Sequence, residues 1–185
     1  MDDMFAPFGK LSTKRLRKSE LEVAEAGPEK SATELGESSS KTGQSSFLGQ
    51  WRLVPFKRIA DERGSLTPVE GGTDIAFDIA RVYYIYDVPS GSERAGHAHL
   101  ALQQVYLALS GSFDVWLDNG SKIECQTLNR PDMGLYIGPG VWRDIRNFSS
   151  GAVCLVLASL PFDEADYLRT YAEFQRYIEG LKGTV

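Results

Sequence analysis

From Trp51 onward, apolar residues come in short runs separated by turn residues, a pattern typical of many strands rather than long helices. Asp118-Asn119-Gly120 separates two of these runs and predicts a hairpin, because both central positions of a type I′ turn need positive φ. The pattern predicts strands at 51–56, 64–68, 79–87, 97–110, 112–118, 122–128, 134–137, 142–147 and 152–159.

After Pro161 the spacing of apolar residues changes to that of a helix. Asp163 and Glu164 stand near its start, where acidic residues are favourable, and Gly180 is the predicted stop. Its apolar stripe comprises Tyr167, Leu168, Tyr171, Phe174, Tyr177 and Ile178. Many antiparallel strands followed by one helix predict a single all-β domain over residues 47–185, a sandwich or barrel with Greek-key connections.

Residues 1–46 differ from the rest of the chain. Serines recur from Ser38 to Ser46, charges of both signs alternate, and Phe5 and Phe8 are the only aromatic residues. Such a segment buries too little apolar surface to offset its chain entropy. We therefore predict a disordered, solvated N-terminal arm.

The chain has 25 acidic and 20 basic residues and a formal net charge of -5. Without a basic surplus we expect no nucleic-acid partner, although a few arginines in one pocket would still bind a small anion. The apolar runs are too short for a membrane helix, and Met1-Asp2-Asp3 does not begin a secretory signal. Two cysteines, Cys125 and Cys154, are too few for a disulfide framework, so we expect a cytoplasmic protein.

The two histidines of the chain, His97 and His99, are two positions apart. On a strand they share one face, so they are candidate metal ligands or a proton-transfer pair. Catalytic metal sites usually need a third histidine or carboxylate, and the next strand positions, Gln103 and Gln104, are amides. We therefore favour acid–base chemistry without a metal or other cofactor.

Arginines near these elements are candidate ligands for a phosphate, which a guanidinium binds in a bidentate manner. Arg63 lies in a predicted turn, and Arg94 directly precedes the histidine segment. Arg143 and Arg146 follow the glycine- and proline-rich bend at 134–141 and fall on opposite faces of a strand. Only one of these last two can face a cavity.

Four residues of the strand at 79–87 alternate in direction. Tyr84 and Tyr86 share one face, and Tyr83 and Ile85 share the other, so one pair faces inward. Tyrosines on strands are usually packing residues. A phenol beside an imidazole would also orient it or bind a sugar hydroxyl.

Five segments of the chain, in this order, resemble the cupin-fold sugar 3,4-ketoisomerases. They are Arg63-Gly64-Ser65-Leu66, Arg81-Val-Tyr-Tyr-Ile-Tyr-Asp87, His97-Ala98-His99 followed by Gln104, Gly134-Leu-Tyr-Ile-Gly-Pro-Gly-Val-Trp142, and Asp163-Glu-Ala-Asp-Tyr-Leu-Arg169. The resemblance covers about residues 49–178. It implies a cupin double-stranded β-helix, or jelly roll, that acts without metal and usually forms a homodimer with strands exchanged near the N-terminus.

The resemblance also implies the substrate, dTDP-4-keto-6-deoxyglucose, and a place in the biosynthesis of 3-amino-3,6-dideoxyhexoses. A base removes the hydrogen on C3 to give an enediol-like intermediate, and a proton returned to C4 leaves the ketone at C3. By similarity His99 is the carbon base and His97 moves protons between the oxygens, with the reverse assignment left open.

Further roles are also implied by this resemblance. The catalytic set is completed by Tyr84 or Tyr86 as donors to the oxyanion. The predicted substrate-binding residues are Arg63, Arg94 and Arg143 for the diphosphate, Trp142 and Tyr136 for the sugar or thymine ring, and Gln104.

The chain departs from the family pattern at Leu100, Ala101 and Gln103, where polar or charged residues are common. If these changes close the pocket, a non-catalytic sugar-binding cupin becomes the better interpretation. A nucleotide-sugar 3,5-epimerase-like cupin also stays open, because it too uses a histidine base. A metal-dependent dioxygenase is disfavoured because ligands are lacking.

Overall fold

The computed structural model describes residues 47–183. The predicted arm at 1–46 lies outside these residues. Within the described range the secondary structure consists of β1 (Trp51–Pro55), β2 (Ile59–Asp61), β3 (Gly64–Leu66), β4 (Arg81–Ile85), β5 (Arg94–His99), β6 (Gln104–Ser110), β7 (Phe113–Asp118), β8 (Ile123–Leu128), β9 (Met133–Ile137), β10 (Trp142–Arg146), β11 (Val153–Ala158), a 3-10 turn (Glu164–Asp166), β12 (Tyr167–Leu168) and α1 (Tyr171–Lys182).

Two five-stranded antiparallel sheets form the body of the domain. The first has the strand order β1-β9-β6-β11-β4 and the second the order β12-β5-β10-β7-β8, while β2 and β3 pair as a separate hairpin. Neighbours in a sheet are mostly distant in sequence, as Greek-key connections require. This is the predicted jelly roll, and the all-β prediction is confirmed.

The main core lies between the two sheets, where the inward-facing residues of each strand, which alternate with outward-facing ones, meet those of the other sheet. It comprises Tyr106, Ala108, Phe113, Val115, Leu117, Leu128, Leu135, Ile137, Val141, Ile145, Cys154 and Val156. A second cluster covers part of the outer face of the first sheet and includes Phe56, Phe77, Val105, Leu107 and Tyr136. Strand β6 is therefore buried on both faces over most of its length.

The C-terminal helix is present but begins later than predicted. Tyr167 and Leu168 form β12, which pairs with His99 and Ala98 at the edge of the second sheet, so they are not part of the helical stripe. The helix starts after Thr170, whose side chain accepts a hydrogen bond from the Glu173 amide in a capping box.

The predicted stop at Gly180 is also wrong, since α1 runs through it to Lys182. Phe174 and Ile178 pack on Ala98, which places the helix over the outer face of β5. Helix α1 has 12 residues, and no helix in the described part of the chain is long and apolar enough to cross a membrane.

The predicted hairpin between β7 and β8 forms, but its loop is longer than a two-residue turn. Asp118 pairs with Ile123, and only Gly120 has positive φ. Asn119 accepts hydrogen bonds from the amides of Ser121 and Lys122, which closes the loop without a type I′ turn.

The predicted strand at 97–110 divides into β5 and β6. Between them the Leu100 amide donates to the Asp166 carbonyl, and the amides of Ala101 and Leu102 donate to the Asp166 carboxylate. A side chain 65 positions away from Ala101 thus satisfies the backbone where the strand breaks.

Candidate active site

A bulge in β5 directs the histidines into the barrel. Ala95 and Gly96 have φ of 70° and 67°, and the register with β10 shifts between Arg143 and Asp144 at this point. Positive φ is costly for alanine, so the surrounding structure must stabilise this conformation.

Past the bulge, His97 and His99 share the inward face, while Ala98 between them faces the helix. The two imidazole rings meet edge to face, with centroids 4.8 Å apart, as the two-residue spacing predicts. The Tyr167 ring lies against both, at 5.0 Å from His97 and 4.2 Å from His99.

His97 borders a cavity of about 390 Å³, and His99 lies behind His97, fully buried. Its walls come from β4, β5, β6 and the segment that leads to α1. The lining residues are Arg81, Val82, Tyr83, Ile85, Arg94, Ala95, His97, Tyr106, Phe162, Tyr167 and Arg169.

Asp166 fixes the orientation of His99. The distance from His99 Nδ1 to Asp166 Oδ2 is 2.9 Å, and the Ala101 amide donates to Oδ1 at 2.7 Å. Burial by itself would raise the pKa of Asp166, but the hydrogen bonds from His99 and the backbone amides hold it below its usual range. An ionised carboxylate only accepts, so His99 Nδ1 carries the hydrogen and Nε2 has a free lone pair.

Both imidazoles are neutral near pH 7. Burial lowers the pKa of His97 to about 3, with further lowering by the charge of Arg143. Burial also lowers the pKa of His99 to about 4, although the hydrogen bond to Asp166 opposes the shift. A carboxylate neighbour usually raises a histidine pKa, so in this site desolvation outweighs the ion pair.

Arg143 places a buried cation beside the histidines. It is the register partner of His97 on β10 and is 0% exposed. Its three guanidinium nitrogens have no hydrogen-bond partner within residues 47–183, and the same holds for His99 Nε2. Burial lowers the pKa of Arg143, yet a guanidinium keeps its charge in proteins.

Both ring nitrogens of His97 are buried, and neither has a hydrogen-bond partner among the described residues. Unpartnered buried polar atoms are uncommon in proteins. Their concentration beside Arg143 indicates a site that binds a polar, oxygen-rich ligand.

Gln104 joins the two tyrosines of the cavity, Tyr83 and Tyr106. Gln104 Nε2 donates to the Tyr83 hydroxyl at 2.8 Å, and the Tyr106 hydroxyl donates to Gln104 Oε1 at 3.3 Å. Burial raises the pKa of both phenols, so they remain protonated and act as donors. Gln104 is 0% exposed and contacts tyrosines, so its position does not support the predicted binding of substrate.

The structure does not bring Tyr84 and Tyr86 into the cavity. They are 62% and 57% exposed on the outer face of β4, whereas Tyr83 and Ile85 line the cavity. The predicted alternation of side chains is present, but Tyr83 and Ile85 are the pair that faces inward, because their face of β4 is turned toward β5.

Tyr136 and Trp142 also lie away from the histidines. Tyr136 points to the outer side of the first sheet, where its hydroxyl donates to Gln103 Oε1 at 2.7 Å. Trp142 lies on the face of β10 opposite Arg143 and packs against Phe174 of the helix. Side chains alternate between the two faces of a sheet, and each of these residues is one position away from an inward-facing residue of its strand.

The predicted arginines separate in the same way. Arg94 lines the cavity, but Arg63 lies in the exposed β2–β3 hairpin, where it pairs with Asp61 at 2.6 Å. Two arginines that sequence reasoning missed border the cavity. Arg81 has a buried Nε that makes no hydrogen bond within the described part of the chain. The guanidinium carbon of Arg169 lies 3.8 Å from the centre of the Tyr167 ring.

Asp166 was missed as a functional residue, although it lies in one of the segments that carry the resemblance. Its pairing with His99 spans 67 positions and has no local signal in the sequence. Within residues 47–183, no cluster of three histidine, cysteine, aspartate or glutamate side chains is arranged to hold a metal ion.

This arrangement can remove a proton from a weakly acidic C–H group. His99 supplies a neutral base of fixed tautomer, and Arg143 supplies a buried positive charge for an oxyanion. Tyr83 supplies a protonated hydroxyl at the cavity that His97 lines.

Comparisons with known proteins agree with this chemistry. The family model FdtA: WxcM-like, C-terminal matches residues 49–179. The TDP-4-oxo-6-deoxy-alpha-D-glucose-3,4-oxoisomerase of Aneurinibacillus thermoaerophilus is 47% identical over 127 residues, which are 69% of this chain and 91% of the relative.

Two solved structures extend the comparison. One is a histidine-to-asparagine variant of the 3,4-ketoisomerase QdtA from Thermoanaerobacterium thermosaccharolyticum in complex with TDP-4-keto-6-deoxyglucose. It has a TM-score of 0.69 and 45% identity, over 70% of this chain and 94% of that chain. The other is the TDP-quinovose 3,4-ketoisomerase WlaRB from Campylobacter jejuni, with a TM-score of 0.67 and 46% identity, over 70% and 99% of the two chains.

Nucleotide-sugar epimerases are more distant, and a 3'-monoepimerase from Streptomyces bikiniensis at 16% identity and a TM-score of 0.56 shares the fold alone. The family match spans most of the chain, and its relatives with 45% identity or more act as ketoisomerases. The chain therefore belongs to the FdtA (WxcM-like, C-terminal) family of sugar 3,4-ketoisomerases.

Proposed function

We propose that this protein converts TDP-4-keto-6-deoxyglucose to a TDP-3-keto-6-deoxyhexose. The observation that carries the proposal is that two buried groups lie near each other: a neutral His99, which Asp166 orients, and the Arg143 guanidinium, which has no hydrogen-bond partner among the described residues. A base beside a buried cation suits a reaction that develops negative charge on oxygen.

In this mechanism His99 Nε2 takes the proton from C3 of the sugar. The C–H electron pair forms the C3–C4 double bond, and the C4 carbonyl pair moves onto its oxygen to give an enediolate. Arg143 and Tyr83 stabilise this oxygen. The hydroxyl proton at C3 is then transferred to the oxygen at C4, and His99 returns its proton to C4, which leaves the ketone at C3.

His97 is the candidate for the transfer between the two oxygens, since it lines the cavity and its ring nitrogens have no hydrogen-bond partner among the described residues. The contact with Asp166 favours His99 as the carbon base, because it fixes which nitrogen of His99 carries hydrogen. His97 has no comparable carboxylate partner among the described residues.

We assign the diphosphate of the substrate to Arg94, Arg81 and Arg169, which border the cavity. Arg169 is also paired with Glu164 at 2.6 Å. This differs from the expectation for Arg143, whose depth beside His97 suits the reacting sugar instead. Arg63 is too exposed within this subunit to support such a role.

The test is incubation with TDP-4-keto-6-deoxyglucose in deuterium oxide, followed by NMR. We expect a 3-keto product with deuterium at C4. The His99→Asn variant should bind TDP normally and give no product, whereas His97→Asn should slow product formation without abolishing exchange at C3. Trp116→Phe, on the outer surface, is the matched control.

Other outcomes separate the competing functions. Deuterium at C3 and C5 with the ketone still at C4 would indicate an epimerase. Tight binding with an unchanged spectrum would indicate a sugar-binding protein, and either result contradicts the proposal.

We also propose a homodimer, supported by apolar side chains on the outer face of the first sheet. Tyr84 and Leu109 are 62% and 48% exposed there. Cys125 and Cys154 are free thiols, which supports a reducing, cytoplasmic setting.

A further inference from the structure

Gln104 connects the two phenols of the cavity from behind. In the first sheet, Tyr106 on β6 and Tyr83 on β4 flank Val156 in one row of the register. Gln104 stands in the next row, beside the small Ala158. It is fully buried and does not line the cavity, whereas both tyrosines do.

The hydrogen bonds within this cluster have a direction. An amide oxygen only accepts and an amide nitrogen only donates. Tyr106 therefore gives its proton to Gln104 Oε1, and Gln104 Nε2 gives a hydrogen to the Tyr83 oxygen.

The Tyr83 oxygen is thus held as an acceptor on the side of the sheet. Its own proton is not needed to bind Gln104 and is free to turn toward the cavity. A donor that is fixed before the reaction needs no reorganisation when charge develops.

We propose that Gln104 and Tyr106 are positioning residues that turn the Tyr83 hydroxyl toward the sugar oxygen that becomes negative. This inference rests on the proposed ketoisomerase function. Gln104 does not line the cavity, and in this proposal both residues act through Tyr83.

The test is a double-mutant cycle on the intact protein with TDP-4-keto-6-deoxyglucose. Tyr83→Phe is expected to lower kcat by about 100-fold, a typical loss for one oxyanion donor. Tyr106→Phe should lower kcat by about 5-fold with KM and TDP affinity unchanged, since only the orientation of a donor is lost. The double variant should be no slower than Tyr83→Phe, because Tyr106 acts only through that hydroxyl.

Gln104→Glu provides a second, nearly isosteric measurement. Its carboxylate accepts from both phenols and turns the Tyr83 proton away from the cavity, so kcat should fall below that of Tyr106→Phe at equal TDP affinity. Gln104→Met, which removes the amide, should lower kcat to a similar extent as Tyr106→Phe. The control is Tyr171→Phe, which removes a phenol hydrogen bond to Asp118 on the outer face and should leave kcat unchanged.

Multiplicative losses in the double variant would overturn the positioning role while leaving the proposed function intact. Unchanged kcat in Gln104→Glu would do the same. Wild-type protein that fails to form the 3-keto product overturns the proposed function and, with it, this inference.

Discussion

At the scale of single residues, burial decides the protonation states of the site. His99 touches an ionised carboxylate, which normally favours imidazolium, yet its pKa falls to about 4 because charging it in the barrel costs more than the ion pair returns. Arg143 adds a second cation to the same interior and favours the neutral ring further. His99 is therefore already an unprotonated, neutral base at neutral pH.

Replacing Asp166 by asparagine should lower kcat by about 100-fold or more, within the range of general acid–base catalysis. The amide would donate to His99 Nδ1 and leave the hydrogen on Nε2, so the ring presents a donor where a base is needed. Steady-state kinetics with TDP affinity as a second readout would measure this. Asp114→Asn, which changes an outer carboxylate bonded to Thr127, is the control.

The histidines should also leave a signature in the pH dependence of stability. Their folded pKa values of about 3 and about 4 lie below the unfolded value of 6.5. Above pH 6.5 their burial does not reduce the free energy of unfolding. As pH falls below 6.5 the free energy of unfolding decreases, because these histidines bind protons in the unfolded chain and not in the folded chain.

We therefore expect the urea midpoint to decrease between pH 7.5 and pH 5, while the ring protons of both histidines show no NMR titration in the folded protein over that range. The double variant His97→Gln, His99→Gln should flatten the slope. Titration of either folded histidine near pH 6.5 would contradict the assigned burial.

At the scale of elements, β5 is held between the cavity and the helix. Its inward residues carry the chemistry, and its outward Ala98 packs under Phe174 and Ile178. Strand β12 closes its edge and brings Asp166 to His99. The helix and β12 thus support the active site without contributing a reacting group.

Thr170→Ala should destabilise the fold by about 1 kcal/mol, the usual cost of losing an N-cap. It removes the acceptor for the Glu173 amide and breaks the capping box. Urea unfolding would measure the loss, and Thr170→Ser, which keeps the hydroxyl, should restore most of it. Equal stability of the alanine variant and the wild type would show that the cap contributes nothing.

At the scale of the whole molecule, the two faces of the first sheet have different roles. Its inner face forms the barrel core and carries Tyr83 and Gln104. Its outer face borders a depression of about 840 Å³, which is larger than the histidine cavity. The floor of this depression includes the apolar residues Leu107 and Leu155. The apolar side chains of this outer face that reach the surface, such as Leu109, suit contact with a second copy of the chain.

Light scattering should accordingly give twice the chain mass of 20.5 kDa. The double variant Tyr84→Glu, Leu109→Glu should shift the protein toward monomer, because it places charges on the outer face of the first sheet. Ile123→Glu, at an apolar site on β8 that is 66% exposed, should not. A monomeric wild type would contradict the proposed assembly.

The sequence determined what is local. Period-two spacing placed His97 and His99 on one face, turn residues located the β7–β8 hairpin, and short apolar runs indicated an all-β domain. These features depend on neighbours along the chain, so they are readable without a structure.

Tertiary structure decided which face points inward. Alternation on β4 separates Tyr83 from Tyr84, and on β10 it separates Arg143 from Trp142, but parity alone does not say which side meets the barrel. The contact of Asp166 with His99 and the low pKa values arise only when distant segments close around the same interior. Burial and long-range pairing are properties of the assembled sheets, and no local pattern encodes them.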